Sequence, residues 1–535
     1  MSPGQTCGEA LVRLLEDYGV DTVFGVPGVH TLALYRGLAG SGIRHVLPRH
    51  EQGAGFMADG YARLSGRPGV CFVITGPGVT NAATPLGQAY SDSVPVLLIS
   101  SVNATRTLGK GWGELHEIRD QRGVTTPLTA LSATALSPGD VPDLLARAFA
   151  VFASARPRPV HIEIPTDVLA APATDEWNPR RPPPRPAPAT DRIAESAALL
   201  AAAERPLILV GGGALEAGSA VAAIAETLSA PVVTSFAAKG LVPDSHPLSL
   251  GSTLWLEATK ACLAEADVVL ALGTELAATD SLAKSLAIPG RLIRVDIDPA
   301  KLVDRHPDEI AILADAAASA EAIAGGLPSR SSPGWRGTAK ERVAEARRAN
   351  LDAARPLQLA HLKVLRTLRA ALPDEAVVTA DMTQLAYTGN CFFPVEQPRG
   401  WIYPAGYGTL GFALPVAIGA KLAAPGRPAV ALVGDAGFLY TVQELATAVE
   451  LGLPIVVLLW NNEALGQIRD DMLAKGIPEV GVIQRNPDFL MLAQAFGCHA
   501  ARPQTLEALG PELAAALGRD GPTVIEVRHD LVGLR

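Results

Sequence analysis

Cysteine is rare in this chain and poorly placed for chemistry. The five cysteines among 535 residues (Cys7, Cys71, Cys262, Cys391 and Cys498) are odd in number and form no CxxC or Cys/His ligand spacing. That argues against a zinc site and a disulfide framework and leaves them as packing residues. Aromatic residues make up 5% while hydrophobic residues make up 48%, so the interior is expected to be Ala-, Leu- and Val-rich, with no sign of disorder. Positive charge is also short. Asp and Glu outnumber Lys and Arg for a formal net charge of −9, with no cationic stripe of the kind that nucleic-acid binding draws on, so no nucleic-acid partner is expected. No stretch supplies the ~18 uninterrupted apolar residues of a membrane span, and the start MSPGQTCGEALVRLL lacks the basic segment and apolar run of a secretory signal. The expectation is a soluble, cytoplasmic protein with no membrane partner.

What the chain has is length and an alternating pattern. Domains usually run to ~100–200 residues, so about three are expected. From Gly8 to Gly19 apolar residues recur at helical spacing, and Thr22 to Gly25 reads as a short buried strand closed by Gly-Val-Pro-Gly. The unit repeats: a helix around Glu51 to Leu64, a strand at Val70 to Thr75, a helix from Asn81 and a strand at Pro95 to Ser100. Helices alternating with continuous apolar strands indicate parallel sheets covered on both faces. At Ala171 to Arg192 the composition shifts to APATDEWNPRRPPPRPAPATDR, where proline fixes the backbone and favours an extended linker. A second block follows, with strands at Pro206 to Val210, Pro231 to Thr234, Asp267 to Leu272 and Leu292 to Ile297. Its Gly211-Gly212-Gly213 turn is not a GxGxxG fingerprint and gives a nucleotide only weak support. A polar, Arg-rich stretch from Ser329 to Arg355 leads to a third block, with strands at Ala376 to Ala380, Ala429 to Val433, Pro454 to Trp460 and Thr523 to Val527. The reading is an α/β protein of three doubly wound parallel-sheet domains, 1–170, 192–328 and 356–535, joined by linkers at 171–191 and 329–355.

The strongest local signal lies in the third block. Strand AVALVG ends at Gly434-Asp435-Ala436, and the next strand, PIVVLLW, ends at Asn461-Asn462, both at strand carboxyl ends, where open parallel sheets bind ligands. A carboxylate and an amide carbonyl there are hard oxygen ligands suited to Mg²⁺ that phosphate oxygens also hold, and the helix from Gly437 offers amides to the same phosphates. Alone, Gly-Asp is an ordinary turn and Asn-Asn a helix cap. Together, with 24 residues (437–460) between Ala436 and Asn461, they resemble the thiamine diphosphate (ThDP) motif of the pyruvate decarboxylase and acetolactate synthase superfamily.

That resemblance implies a diphosphate-binding domain at 356–535 with Mg²⁺ held by Asp435, Asn462 and the Ala464 carbonyl, and cofactor contacts from Gly434, Ala436 and Gly437. It extends to PRHEQGAGFMADGYAR (Pro48 to Arg63) in the first block, which makes 1–170 a pyrimidine-binding domain. Glu51 matches the residue that binds the pyrimidine ring nitrogen, where a carboxyl group favours the tautomer that removes the thiazolium proton. FGVPG upstream and ITGPGVTN downstream fit the same family. In PAGYGTLGFALPVAIGA the Gly408 carbonyl matches the acceptor for the exocyclic amine, and Leu410 the apolar wedge that keeps the cofactor bent. Thr383 and Gln384 match diphosphate contacts. In the family Glu51 and Asp435 come from different subunits, which implies a homodimer at minimum and a homotetramer as the common form.

Substrate choice rests on the residues that face the reactive carbon. His30, in GVPGVHTLALY, matches a histidine beside that carbon in benzaldehyde lyase. His116, in GELHEIRDQ, stands where acetolactate synthase has glutamine, and Gln121 follows within reach. The adjacent His-His pair of pyruvate decarboxylase is absent. Ala130 replaces a lysine of acetolactate synthase, and ALGTELAATD stands in place of its Arg-Phe-Asp-Asp flavin segment, which argues against FAD. FGVPGVHTLALYRGLAG, RHEQGAGFMADGYARLSGRPGVCF and LHEIRDQ resemble the 5-guanidino-2-oxopentanoate (2-ketoarginine) decarboxylases, lyases of arginine metabolism that release CO₂ and 4-guanidinobutanal. His30 and His116 are then the candidates for the proton steps. A guanidinium needs an acidic partner, and Glu114, Glu117, Asp120, Asp470 and Asp471 all lie in segments that flank the pocket in relatives. Three alternatives stay open: a carboligase like acetolactate synthase or benzaldehyde lyase, a non-catalytic regulatory subunit, which Glu51, Asp435 and Asn462 together oppose, and a dehydrogenase, for which no strand–GxGxxG–helix is present.

Overall fold

A computed structural model describes residues 5–173, 176–283, 286–328 and 334–533. Its strands form three six-stranded sheets, and every pairing within them is parallel. The first sheet runs Arg44–Val46, Thr22–Gly25, Gly69–Val73, Val96–Val102, Val160–Pro165, Leu131–Thr134. The third runs Trp401–Ile402, Val377–Ala380, Ala429–Gly434, Ile455–Asn461, Thr523–Arg528, His499–Ala501. Numbered within each domain, both have the order 2-1-3-4-6-5, so the first and third domains share one topology. The central sheet runs Ser249–Gly251, Val232–Thr234, Pro206–Val210, Val268–Leu272, Arg291–Asp296, Ile310–Leu313. That order is 3-2-1-4-5-6, the doubly wound arrangement of dinucleotide-binding folds.

The first and third domains pack directly on each other through the Glu51–Ser65 and Ala413–Ala423 helices. Small residues permit the approach. A Cβ on Gly419 would lie 1.9 Å from the Met57 carbonyl oxygen, and one on Gly60 would lie 2.2 Å from that of Val416, so backbone meets backbone. Phe24, Met57, Ile418, Val433 and Phe438 then belong to one continuous apolar core. The five cysteines are all buried and free.

The sequence reading missed some elements. Residues 329–333 lie outside the described residues, but the rest of the second linker is largely the helix Ala339–Asp352. Its buried stripe, Ala339, Val343, Ala346 and Asn350, is narrow enough to read as polar, yet Asn350 bonds Thr259 and the Ala258 amide of the central domain. The interior strand Val160–Pro165 was missed because His161 and Glu163, both buried, interrupt its apolar run. The Gly211-Gly212-Gly213 turn has a packing cause: a Gly211 Cβ would lie 2.2 Å from the Gly273 carbonyl oxygen. Beside it, Glu275 pairs with Arg156 and Lys301. No helix among the described residues is long and apolar enough to cross a membrane.

Candidate active site

The chemistry-bearing residues fall into two groups, one on each of the matching domains. In the first domain, a turn of 3₁₀ helix at Val29–Thr31 follows strand Thr22–Gly25 and carries His30. His30 Nδ1 lies 2.9 Å from Thr75 Oγ1, and Thr75 Oγ1 donates to Ser101 Oγ at 3.1 Å. With that donor direction Nδ1–H donates to Thr75, and Nε2 is left as a proton acceptor. Burial lowers the His30 pKa, His116 adds to the effect, and Glu114 opposes it, so His30 favours the neutral form. The His116 ring meets His30 edge-on at 5.4 Å between centroids. His116 has φ +61°, and a Cβ on Gly76 would lie 2.3 Å from its carbonyl oxygen, so the Gly-Pro-Gly turn seats the His116 loop.

Gln121 does not face this pair. Its Oε1 accepts from the Gly76 amide at 2.7 Å, and its Nε2 donates to Ser101 O, Glu163 Oε2 and Ser100 Oγ. Ser100 in turn meets His161, which burial drives down to a pKa of about 3 and so keeps neutral. Gln121, expected within reach of the histidines as a catalytic residue, is a buried bracket under the Gly76 turn with its amide fully engaged. Glu51 opens the Glu51–Ser65 helix and accepts from Asn81 Nδ2 at 2.9 Å.

In the third domain the register sets Gly434 opposite Trp460, so the two strand ends carry Asp435 and Asn461-Asn462 out side by side. Asp435 is buried. Its Oδ1 accepts from the Ala436 amide at 2.9 Å and its Oδ2 from Asn486 Nδ2 at 2.8 Å. Asn462 Oδ1 accepts from the Ala464 amide at 3.3 Å. A Cβ on Gly466 would lie 2.4 Å from Asn462 Nδ2 and 2.6 Å from Gln384 Oε1, so these side chains converge there. Thr383 Oγ1 lies 3.1 Å from where a Gly434 Cβ would be. Gly408, at φ +71°, and the half-buried Leu410 sit on a loop that the first domain props, through Gln88 to Thr409 and Asp92 to Gly406.

Family models for the thiamine pyrophosphate enzymes match all three domains: the N-terminal TPP binding domain over residues 5–124, the central domain over 193–323 and the C-terminal TPP binding domain over 381–527. A probable 2-ketoarginine decarboxylase of Pseudomonas aeruginosa is 58% identical over 98% of this chain and 94% of its own length. The chain belongs to the thiamine pyrophosphate enzymes. An acetolactate synthase of Mycobacterium bovis is 36% identical over 97% of this chain and 87% of its own, and the large subunit of acetolactate synthase isozyme 1 of Escherichia coli is 32% identical over 98% and 94%.

Three polar residues of this ThDP enzyme, the buried Asp381 and Glu444 and the part-buried Asn486, carry no motif and escaped the sequence reading. Asp381 lies under both the Gly411 and the Gly437 turns: its Oδ2 accepts from the Gly411 amide at 2.9 Å and would lie 2.6 Å from a Gly437 Cβ. Burial pushes its carboxyl up to about 6. Asn486 donates to both Asp435 and Asn461, while its own Oδ1 is buried without a partner. Glu444 accepts the Arg49 amide on both oxygens, 3.1 Å each, just before Glu51 at the start of its helix.

Burial raises the Glu444 pKa from 4.5 to about 7. A carboxyl raised on folding binds its proton more tightly in the native state, so it costs stability as pH rises from about 4.5 and levels off above about 7. Glu444→Gln is expected to remove that slope, shrinking the stability difference between pH 5 and pH 8 by about 3 kcal/mol in denaturant unfolding.

Proposed function

We propose that this ThDP enzyme is a Mg²⁺-dependent 2-oxo acid decarboxylase that converts 5-guanidino-2-oxopentanoate to 4-guanidinobutanal and CO₂. The observation that carries the substrate is the 58% identity, over 98% of this chain, to a probable 2-ketoarginine decarboxylase. When bound, the cofactor supplies the carbon nucleophile and the electron sink for decarboxylation. In this reading Glu51 would hold a proton at the pyrimidine ring nitrogen, the Gly408 carbonyl would accept from the amine and Leu410 would pack against the cofactor. Thr383, Gln384 and the Gly434–Gly437 turn meet the diphosphate. Replacing a carboxylate by an aldehyde hydrogen consumes one proton per turnover, and in this reading the His30–His116 pair would deliver it. Gln121 acts by positioning the Gly76 turn.

The donor set fits Mg²⁺: one carboxylate (Asp435), one amide oxygen (Asn462) and one backbone carbonyl (Ala464) are hard ligands that leave room for phosphate and water. The part-buried Asn486, with one oxygen unpartnered beside Asp435, orients that set. Asn486→Ala is expected to weaken cofactor binding on the order of 10–100-fold, read by fluorescence titration with ThDP at fixed Mg²⁺, and EDTA should abolish binding in both proteins.

A site shared between two chains also belongs to this reading. Among the described residues, no hydrogen bond or ion pair joins Glu51, His30 or His116 to Asp435, Asn462 or Gln384 of the same chain. Val29, Leu32, Trp112 and Leu115 stand exposed near the histidine pair, as do Tyr440 and Ile468 near the diphosphate side. Apolar surface of that kind is what a homodimer would cover, in the cytoplasm and as a dimer or tetramer.

The test is CO₂ release from 5-guanidino-2-oxopentanoate, pyruvate, 2-oxoisovalerate and phenylpyruvate with ThDP and Mg²⁺. Preferential turnover of the guanidino acid to an aldehyde is expected. A coupled hydroxyketone from pyruvate would point instead to a carboligase like the acetolactate synthase relatives.

A further inference from the structure

Five acidic residues flank the site in sequence, but the structure leaves them unequal. Glu117 accepts the amides of Gly111, Gly113 and Glu114 and so serves its own loop. Asp120 caps the Gln121–Thr125 helix through the Gly123 amide. Asp470 takes Gln384 Nε2 on one oxygen and Arg469 on the other, and Asp471 takes Gln467 Nε2. The Glu114 carboxylate alone of the five has no hydrogen-bond or ion-pair partner among the described residues.

Its backbone, by contrast, is fixed. Glu114 N donates to Glu117 Oε2 at 3.1 Å, and Glu117 N donates to Glu114 O at 3.0 Å. Asn103 Nδ2 holds the Leu115 carbonyl at 2.9 Å, and Gly76 packs on that of His116. A free carboxylate is therefore presented from an anchored turn two residues before His116. Its negative charge acts on His30.

We propose that Glu114 is the specificity-determining residue, binding the guanidinium of the substrate while the His30–His116 pair faces its 2-oxo acid end. This rests on the substrate assigned above. The scale is right: residues two apart span at most ~7 Å, and the oxo carbon and guanidinium carbon of an extended 5-guanidino-2-oxopentanoate are separated by roughly 6 Å. A carboxylate and a guanidinium also match as a bidentate pair.

The probes are 5-guanidino-2-oxopentanoate and 5-ureido-2-oxopentanoate, which share chain length and planar end group but differ in charge. With full-length enzyme, ThDP and Mg²⁺, the ratio of kcat/KM for guanidino over ureido acid is expected to fall about 10- to 100-fold in Glu114→Gln, mainly through KM. Glu114→Asp, which keeps the charge, should retain part of the preference. A wild-type preference that survives Glu114→Gln overturns the role of Glu114 and leaves the substrate assignment standing. Absence of any preference in the wild-type enzyme overturns the substrate assignment, and the role of Glu114 with it.

Discussion

Glu51→Gln is expected to lower kcat on the order of 10²–10⁴-fold while the protein still binds ThDP, because the substitution removes a proton-relaying carboxyl and little else. The amide keeps the side-chain length and an oxygen for Asn81 Nδ2, so the helix start is preserved. CO₂ release at saturating cofactor measures the loss, and a circular-dichroism titration with ThDP separates it from failure to bind. A drop below tenfold would remove Glu51 from its assigned place.

The same variant tests whether the site is built between chains. Asp435→Asn should also be inactive, since it removes the carboxylate of the proposed metal set on the other domain. If Glu51 of one subunit works with Asp435 of its partner, a dimer of one Glu51→Gln and one Asp435→Asn chain has one site with both defects and one with neither. Random mixing of the two dead proteins should then restore about a quarter of wild-type activity. No recovery after verified exchange of subunits would place Glu51 and Asp435 of one chain in one site.

How much of this was legible in the sequence depended on how many neighbouring residues share a signal. Strands such as Val268–Leu272 and Ile455–Asn461 are continuous apolar runs because they are buried on both faces. Edge strands such as Arg44–Val46 and Leu131–Thr134 are short and part-exposed, so they lack the pattern. The Asp435 and Asn462 turns stand out in the sequence because two strand ends and a fixed spacing act together, and the structure sets those strands side by side. Asp381, Glu444 and Asn486 do not, since each is a single polar residue whose meaning comes from burial against a distant backbone amide or side chain. Gln121 shows the reverse case. Its sequence position beside His116 suggested chemistry, and only its full set of hydrogen bonds shows that it holds a turn in place.

Gly419→Ala should be the most destabilising of the substitutions considered, at about 3 kcal/mol or more in urea unfolding. The new Cβ would lie 1.9 Å from the Met57 oxygen, 2.7 Å from the Met57 carbonyl carbon and 2.9 Å from the Tyr61 nitrogen. All three are backbone atoms of the Glu51–Ser65 helix, so no rotamer change relieves the contact and two helices must separate. Val416 and Gly60 meet at the same crossing, which limits sliding as an escape. Because that helix begins at Glu51 and its start rests on Glu444, separation also displaces the carboxyl group assigned to the pyrimidine. Surviving folded protein should therefore lose kcat as well as stability, whereas Gly426→Ala, where no atom lies within 4 Å of the new Cβ, should change neither. Equal behaviour of the two variants would mean that the helix crossing is looser than its backbone contacts require.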